Sequence, residues 1–491
     1  MKRLTFTLLT LLVVGFVTDS FCAEKRVKTP KSGTETSPLQ VEVSSIKELL
    51  PHLRRNYINL KMTPGTYRVT ANDVKSGMFI RTTEVIDGQT TFALLLIEGS
   101  NNTFDLTGVT IEVESAVANA FDGRRYEFAE LHTTGNHNVV KGLKLVDVGS
   151  KLDRPIYGWC NVVVDGANNR LDGVEVNSRG SMPYGYGEAF GKGKGYVLKH
   201  WKHSAMLVRG DYNHIKDCRI IHHSYGHFLF MQGAVSPLVE GCYIEGEMVS
   251  TDRILAEKGT GSEADKIDFK TVWGYTLPRG YTLSTGEDGI RTYTEGNTIV
   301  NGEKMRRRTS GDIIVRDCTV KHARGGVTIA LGQGTRLIEN CTLIGCQHGF
   351  MTNSGGKILN CRADVAFGAV FEVGYERNRD ITADITVMPY DGEPYGENGQ
   401  GHVAFIMGSG HNITLRRGEG LSLDRDMYIA IGGDKRSIGS LAEDENCSAS
   451  NITLVNETGS PIIIDDNAQN VNVTTNGDVK DDGVNSTIIR K

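Results

Sequence analysis

The chain has 491 residues, of which 39% are hydrophobic and 23% charged, with 58 glycines and 11 prolines. This composition excludes an intrinsically disordered chain and a collagen-like one. The formal net charge of −5 at pH 7 lacks the basic excess that binding to a phosphate backbone requires, so no nucleic-acid partner is expected.

Residues 1–22 are predicted to form a secretory signal peptide. A basic start precedes an apolar run over residues 4–17, and cleavage is expected after Cys22 or Ala23. Lipid attachment at Cys22 is the alternative, which the bulky Phe21 disfavours. No later apolar run is long enough to span a bilayer. The sequence therefore predicts a secreted or periplasmic protein without a transmembrane segment.

Residues 23–95 are predicted to be an N-terminal cap. The segment from Ser45 to Arg55 has a helical pattern, and the segment from Thr63 to Val69 reads as extended. The ends of a solenoid leave its core open, and a helical cap covers such an end.

A short sequence motif recurs from residue 96 to 480. It consists of a turn-forming Asn, Gly or Asp, alternating apolar residues, and a second turn that often contains a cysteine. The equivalent cysteines are Cys218, Cys242, Cys318, Cys341 and Cys361. Their intervals of 24, 23 and 20 residues within uninterrupted stretches hold two or three short strands and leave no room for an added helix. The sequence predicts an all-β parallel β-helix, with a C-terminal tail at 481–491.

The cysteines are predicted to be structural. Equivalent positions of adjacent coils lie about 4.8 Å apart, so the thiols would form a buried, reduced ladder. Disulfides are the alternative in an exported protein, and the paired spacing that zinc sites use is missing.

Two insertions interrupt the repeat, at 180–194 and 247–308. Long loops on a rigid stack are where function concentrates. We therefore expect any site to lie beside them.

Four apolar strands each end in a glycine and can be aligned on it; the glycines are Gly210, Gly233, Gly332 and Gly355. The alignment creates two columns of residues on one face of the predicted sheet. The first column contains Lys202, Tyr225, Arg324 and Gln347, and the second contains Ser204, His227, Gly326 and Gly349. A solvated strand edge is the alternative interpretation.

The longer insertion ends in Gly286 to Tyr293, which is predicted to be one more strand of this sheet. Its register is open by one residue, and either register puts Arg291 in or beside the cationic column. Glu287 and Asp288 are adjacent and are expected to point in opposite directions. A salt bridge to Arg291 explains these acids more simply than a calcium site does.

This set of residues suits removal of the C5 proton of a uronic acid. Arginine neutralises the adjacent carboxylate, and a lysine or tyrosine with a lowered pKa can act as base. From the residues alone, Lys202 or Tyr225 is a candidate base and Tyr225 or His227 a candidate acid. Arg324 or Arg291 is the neutralising group. Hydrolysis would instead need two carboxylates flanking the bond.

Residues near these columns are candidates for substrate binding. Aromatic side chains, which make up 7% of the chain, can stack on sugar rings, and lysines can line an anionic groove. The candidates are Tyr184, Tyr186, Lys199, Trp201, His203, Gln232, Gln347 and His348.

Several segments resemble secreted right-handed β-helix proteins of the pectate-lyase-like superfamily, most closely the β-helix alginate lyases. They are the cysteine-ladder coils, the signal peptide, His222–His227, Glu245–Glu247 with Thr251 and Asp252, and Glu287–Arg291. The resemblance implies a lysine base with a tyrosine or arginine partner, and calcium in some members. Lys202, Tyr225 and Arg324 match by type and column, although nearly a hundred residues separate the last two.

The resemblance implies a right-handed β-helix that acts as a secreted polysaccharide lyase on a uronate-containing, anionic glycan, with alginate first among substrates. No cofactor is required, and calcium is the one candidate ion. A β-helix glycoside hydrolase and a non-catalytic glycan-binding adhesin are the alternatives.

Overall fold

The computed structural model describes residues 32–79, 82–84, 90–121, 126–149, 158–181, 183–190, 198, 201–271, 275–366, 368–390, 402–423, 427–433 and 447–491. The predicted signal peptide with Cys22, and the candidate Lys199, lie outside the described residues.

The described chain winds into the parallel β-helix that the sequence predicts. Most coils contribute a strand to each of three parallel sheets, because equivalent residues of successive coils stack on one another; in the uninterrupted coils these residues are 20 to 24 positions apart. Sheet 1 contains Thr90–Ile97, Tyr126–Thr133, Gly158–Val164, His203–Asp211, Leu229–Val235, Asp288–Thr292, Gly325–Ile329, His348–Thr352, Phe371–Glu372, His402–Ile406, Tyr428–Ile431, Ile462–Ile464 and Val479–Asp481.

The other two sheets complete the walls of the solenoid. Sheet 2 contains Leu39–Val43, Ile58–Met62, Thr103–Asp105, Val139–Lys141, Arg170–Asp172, His214–Lys216, Leu238–Glu240, Gly311–Arg316 and Gln333–Glu339. Sheet 3 contains Gly65–Val69, Val109–Glu114, Lys144–Val148, Glu175–Ser178, Arg219–His222, Tyr243–Gly246, Thr319–Lys321 and Thr342–Ile344. Beyond these, sheets 2 and 3 continue as shared strands: Lys357–Asp364, Thr382–Met388, Gly408–Ser409, Asn412–Arg417, Ala449–Asn456, Ala468–Thr475 and Thr487–Arg490.

Few elements lie outside the three sheets. The antiparallel partners are Thr82–Glu84, Met248–Ser250 with Thr282–Ser284, and Glu295–Val300 with Glu303–Thr309. The helices are Ile46–Leu49, Ala71–Lys75 and Thr251–Leu255, and the 3₁₀ turns are Leu50–Arg54, Ser115–Asn119 and Asp265–Ile267. Among the described residues, none of these helices has the length and apolar character needed to cross a bilayer.

The predicted helical segment of the cap is present. Ser45 caps it by accepting a hydrogen bond from the backbone N–H of Glu48 at 3.2 Å, which satisfies a helix N–H group that lacks a partner within the helix. Leu49 and Leu53 are buried in the same core as the coils. Strand Leu39–Val43 already pairs in parallel with Ile58–Met62.

The cysteine ladder forms as predicted, with free and buried thiols. The residue before each ladder cysteine adopts a left-handed conformation, with φ between 50° and 66°, as the Asp, Gly or Asn at that place allows. Each Sγ atom lies within 3.1 to 3.5 Å of the carbonyl oxygen two residues earlier. A small thiol therefore fills the inside of this corner in successive coils.

Sheet 1 departs from strict alternation at one place in its strands. Ala205 and Met206 are consecutive and both belong to the main core, as do Phe228 and Leu229 in the next coil. Two inward residues in a row bend the strand. Residues three positions apart, rather than two, consequently reach the outer surface on either side of the bend.

The two insertions pack on each other and build a small second core beside sheet 1. Phe190 from the first insertion meets Phe269 from the second, with ring centroids 6.0 Å apart, and Leu255 and Leu277 belong to the same cluster. The insertions thus form a wall next to the outer surface of sheet 1.

Candidate functional site

The predicted cationic residues meet on the outer surface of sheet 1. Lys202 precedes strand His203–Asp211, and its Nζ atom donates hydrogen bonds to both carboxylate oxygens of Glu287, at 2.6 and 2.7 Å. The Oε1 atom of Glu287 also lies 3.8 Å from Nη1 of Arg324 on the following coil. One carboxylate therefore links Lys202 to Arg324.

Part of the predicted column alignment agrees with the backbone pairing. Met206 is paired with Leu229, which places Tyr225 on Lys202 and His227 two residues further along the same strand. The segment before Tyr293 is the predicted extra strand of the sheet, inserted as Asp288–Thr292.

The third and fourth rows of the predicted columns, which contain Arg324 and Gln347, are both wrong by one residue relative to the first two. Arg324 stacks on Glu287, since its backbone N–H donates to the Glu287 carbonyl at 2.9 Å. Gly326, predicted on the outer face, points inward, where an added Cβ would lie 2.4 Å from a core side chain. The error arises because Gly233 lies four residues after Leu229, whereas Gly332 lies five residues after Val327, which occupies the same register position. The two terminal glycines are therefore not equivalent.

Asp288 holds the two candidate arginines together. Its Oδ1 atom accepts hydrogen bonds from Arg324 at 2.9 and 3.2 Å, and its other oxygen is ion-paired with Arg291. The expected salt bridge to Arg291 is therefore present. Arg324 is also paired with Glu188, which the wall of insertions supplies.

Glu287 and Asp288 are both ionised at neutral pH. Burial alone would raise the pKa of Glu287, but His227 in its protonated form, followed by Lys202 and Arg324, lowers it to about 2. The same balance, with two arginines as the cations, holds the pKa of Asp288 far below its usual range. The expectation that the acids point in opposite directions is wrong. Arg324 contacts both because Glu287 precedes the strand that begins at Asp288.

Tyr293, which is not among the predicted site residues, completes the network. Its hydroxyl oxygen lies 2.6 Å from Nε2 of His227, and this Nε2 atom is 3.3 Å from Glu287. Burial lowers the pKa of His227 to about 4, so the imidazole is neutral at pH 7. Burial and the charge on Glu287 raise the pKa of Tyr293 to about 12. Tyr293 lies two residues after Arg291 in the sequence, so strand alternation could have predicted that both side chains share one face of the sheet.

Tyr225, predicted to transfer a proton, is buried against Lys202. The residue is 1% exposed, and Nζ of Lys202 lies 5.5 Å from its ring centroid. Burial and the charges of Glu287 and Glu188 raise the pKa of the phenol strongly. Tyr225 supports Lys202 in this structure and does not reach the surface where a substrate would lie.

Two candidate substrate-binding residues are buried elsewhere. His203 points into the solenoid, stacked on Trp159 at 3.8 Å and with Nε2 at 2.9 Å from Oδ1 of Asn161. Tyr186 belongs to the small core of the insertions, where its hydroxyl donates to Glu257. Because both side chains are buried, neither offers a surface to a sugar.

The other candidates lie around the network. Tyr184 is half-buried in the wall and donates to Glu247 at 2.8 Å. Trp201 is half-buried next to Lys202 in the chain, and Gln232 packs against the hairpin residue Gly296. Gln347 and His348 occupy the coil after Arg324, and the backbone N–H of His348 donates to the Arg324 carbonyl at 2.8 Å.

A pocket of about 80 Å³, partly open to solvent, adjoins the network. Arg291, Arg324 and Asp288 form one side, and His348 and Tyr375 belong to the coils beyond.

Within the described ranges, no group of three or more His, Cys, Asp or Glu side chains is arranged to hold a metal ion. The Glu287 and Asp288 carboxylates, considered for calcium, are engaged by Lys202 and the two arginines. A cation there would have to displace three positively charged side chains.

The comparisons with known proteins found one matching family model and several similar solved structures. Residues 186–363 match the family model described as right handed beta helix region, and no curated protein matches the sequence. Among solved structures, alginate lyase AlyF-OU02 with G6 is 11% identical with a TM-score of 0.39, covering 93% of this chain and 86% of that chain. A PL6 alginate lyase in complex with a trisaccharide is 10% identical with a TM-score of 0.41, covering 94% and 86%.

The A-module of the Azotobacter vinelandii mannuronan C-5 epimerase AlgE6 is 10% identical with a TM-score of 0.34, covering 88% of this chain and 90% of that chain. The stacked parallel sheets and the matched region together identify the chain as a right-handed parallel β-helix protein.

Proposed function

We propose that the protein is a polysaccharide lyase that cleaves a uronate-containing glycan, with alginate as the first candidate, by β-elimination. The observation that carries the proposal is the single network in which Lys202, Arg324 and the His227–Tyr293 pair all contact Glu287 or its neighbour Asp288. Groups that β-elimination requires are thus within one patch of sheet 1.

Neutralisation of the carboxylate of the sugar whose bond is cleaved is assigned to Arg324. The side chains of Arg291 and Arg324 are 29% and 17% exposed, so each is anchored by Asp288 while part of it faces solvent. A guanidinium group binds a carboxylate through two parallel hydrogen bonds. That contact withdraws charge and makes the neighbouring C5 proton easier to remove.

The base is assigned to Tyr293 acting with His227. The step requires the tautomer of His227 with Nε2 unprotonated, to which the tyrosine hydroxyl donates. The imidazole then takes the phenol proton as the phenol oxygen removes the proton from C5, and the ionised Glu287, 3.3 Å from Nε2, stabilises the protonated ring. The C5–H bond breaks, a C4–C5 double bond forms, and the C4–O bond breaks. Such positioned proton transfers contribute about 10² to 10⁴ in rate.

The acid is assigned to Lys202, which reverses the role expected from the sequence. Its Nζ atom donates to both carboxylate oxygens of Glu287, and an ammonium group can donate to the leaving oxygen but cannot accept the C5 proton. Lys202 is also the more exposed partner, with 40% of its side chain accessible.

The hydrolase alternative receives less support from this geometry. A glycosidase needs one carboxyl group that is protonated when the bond breaks, whereas Glu287 and Asp288 are both ionised at neutral pH because their pKa values are lowered.

A panel of uronans tests the proposal. Elimination leaves a conjugated double bond that absorbs in the near ultraviolet, so a rise in absorbance together with new reducing ends is the expected result. New reducing ends without absorbance would show a hydrolase. Binding without either signal on every panel member would show a glycan-binding protein.

A uronate with an aryl ether at O4 tests the assignment of roles. This leaving group departs without a proton, so Lys202→Ala should recover activity on it while Tyr293→Phe should not. Recovery by Tyr293→Phe alone would reverse the two roles.

A further inference from the structure

We infer that the pocket beyond Arg324 is a binding subsite for a second acidic sugar, next to the one whose bond is cleaved. This inference rests on the proposed action on uronates and specifies where the glycan extends. The pocket includes both arginines of the network and continues over the coils of His348 and Tyr375. A glycan that fills it would run along the solenoid axis, across the strands.

The floor of the pocket is shaped for a ring. Thr328 and Met351 are consecutive members of the outward column that begins at Arg291, and Gly325 and Gly374 lie beside them. An added Cβ on Gly325 would lie 2.4 Å from Oδ1 of Asp288, so no side chain fits at that place. The absence of side chains at both glycines opens the pocket.

The rim combines charge with an apolar face. Arg291 and Arg324 present a positive edge that suits a carboxylate. Ala330 and Leu331 line the same pocket, and the ring of Tyr375 packs under Arg377 at 4.0 Å. Apolar surface beside a few placed polar groups is the usual composition of a small-ligand site.

His348 supplies a second polar contact on the far side. Its Nδ1 atom is buried and has no hydrogen-bond partner among the described residues, and it lies 3.6 Å from Oε1 of Glu372. The nearby carboxylate favours the tautomer with a proton on Nδ1, which leaves Nε2 as an acceptor. A sugar hydroxyl is the donor that this arrangement suits.

Two sides of different character define the expected ligand. Arg291, at the head of the column that forms the floor, recognises the carboxylate of this second sugar, while Arg324 serves the sugar whose bond is cleaved. The imidazole recognises a hydroxyl group, so the ligand class is a uronate within a chain of uronates. A glycan that alternates acidic and neutral sugars would leave the arginine edge without its partner at one of the two positions.

Calorimetric titration tests the subsite without relying on cleavage. The protein is the full chain carrying Tyr293→Phe, and the probe is a saturated alginate trisaccharide, with the same trisaccharide reduced to its neutral alcohol for comparison. Thr328→Trp should fill the floor and raise the Kd for the acidic probe at least tenfold. Thr342→Trp, at a half-buried position of sheet 3, is the matched control and should leave the Kd unchanged.

The outcomes separate the subsite from the proposed function. An unchanged Kd in Thr328→Trp, or equal affinity for the neutral probe, would overturn the subsite even if the protein proves to be a lyase. Tight binding that Thr328→Trp abolishes would support the subsite even if no uronan is cleaved. Loss of binding in His348→Ala, with circular dichroism unchanged, would add support for the second polar contact, and full binding in that variant would remove it.

Discussion

Lys202 donates hydrogen bonds to both carboxylate oxygens of Glu287, although 85 positions separate the two residues in the chain. Sheet 1 brings them together because Glu287 lies two coils after Lys202, and the insertion between them leaves the stack and returns to it at the next coil. The pair is the point from which the other site residues can be located: His227 lies on one side of Glu287 and Arg324 on the other.

Replacement of Lys202 by alanine should abolish most activity on natural uronans. We expect kcat to fall by about 10² to 10⁴, as for loss of a proton donor, while the melting temperature changes little because Lys202 is 40% exposed. Initial rates from ultraviolet absorbance and a thermal melt measure the two effects. Lys216→Ala, on sheet 2, is the control. A large loss of stability with activity retained would make Lys202 a structural residue.

Removal of the Tyr293 hydroxyl should be far more damaging than removal of the Tyr225 hydroxyl. Tyr293 is paired with His227 at 2.6 Å at the edge of the network, whereas Tyr225 is buried. We expect Tyr293→Phe to reduce kcat by about 10² or more and Tyr225→Phe to retain most of it. The reverse order would return the proton transfer to Tyr225.

The pH dependence of kcat/KM should reflect the protonation of His227. The imidazole accepts a proton only when neutral, and its pKa of about 4 means that it loses this capacity as the pH falls through that value. We expect kcat/KM to be level near neutrality and to decrease with a midpoint near pH 4. A midpoint above pH 6, unchanged in His227→Gln, would show that another group controls the rate.

Glu188 should compete with the substrate for Arg324. It forms an ion pair with the arginine that is assigned to the sugar carboxylate, so Glu188→Gln removes a charge that repels the substrate. We expect KM to decrease roughly two- to fivefold, the range of a partly exposed ion pair, with kcat nearly unchanged. Glu263→Gln, elsewhere in the insertion, is the control. An increase in KM would mean that Glu188 itself binds the sugar.

Glu130 should make stability decrease with rising pH. Burial, followed by the charge of Asp147, raises the pKa of Glu130 well above the usual 4.5. Its proton is therefore kept in the folded state at pH values where the unfolded chain releases it. Stability is lost as the pH rises from about 4.5 towards the raised pKa.

Glu130→Gln carries no ionisable proton, and its amide can still bond within the cluster. Its melting temperature should exceed that of the parent by an amount that grows between pH 5 and pH 8. About 2 to 4 °C is expected for each kcal/mol in a larger domain. Glu42→Gln, at an exposed position, is the control. Parallel melting curves at all pH values would show that Glu130 does not titrate in this range.

The predicted and observed sites overlap where the pattern is local. The 23-residue offset between Lys202 and Tyr225 lies within an uninterrupted pair of coils, so their stacking is predictable and correct. The row containing Arg324 follows the long insertion and begins after a different turn, so its alignment is wrong by one residue. Insertions remove the periodic reference on which such alignments depend.

The sequence by itself determined the coil, because a period in the low twenties with Asp, Gly or Asn before cysteine permits stacking and little else. It also determined which side chains could meet. Only the tertiary structure decided how they meet. The consecutive inward residues Phe228 and Leu229 bend sheet 1, and in the following coil of that sheet Asp288 and Arg291 both reach its outer surface. Burial depends on packing: it removes Tyr225 from the surface where a substrate would lie, whereas Tyr293 is only half-buried.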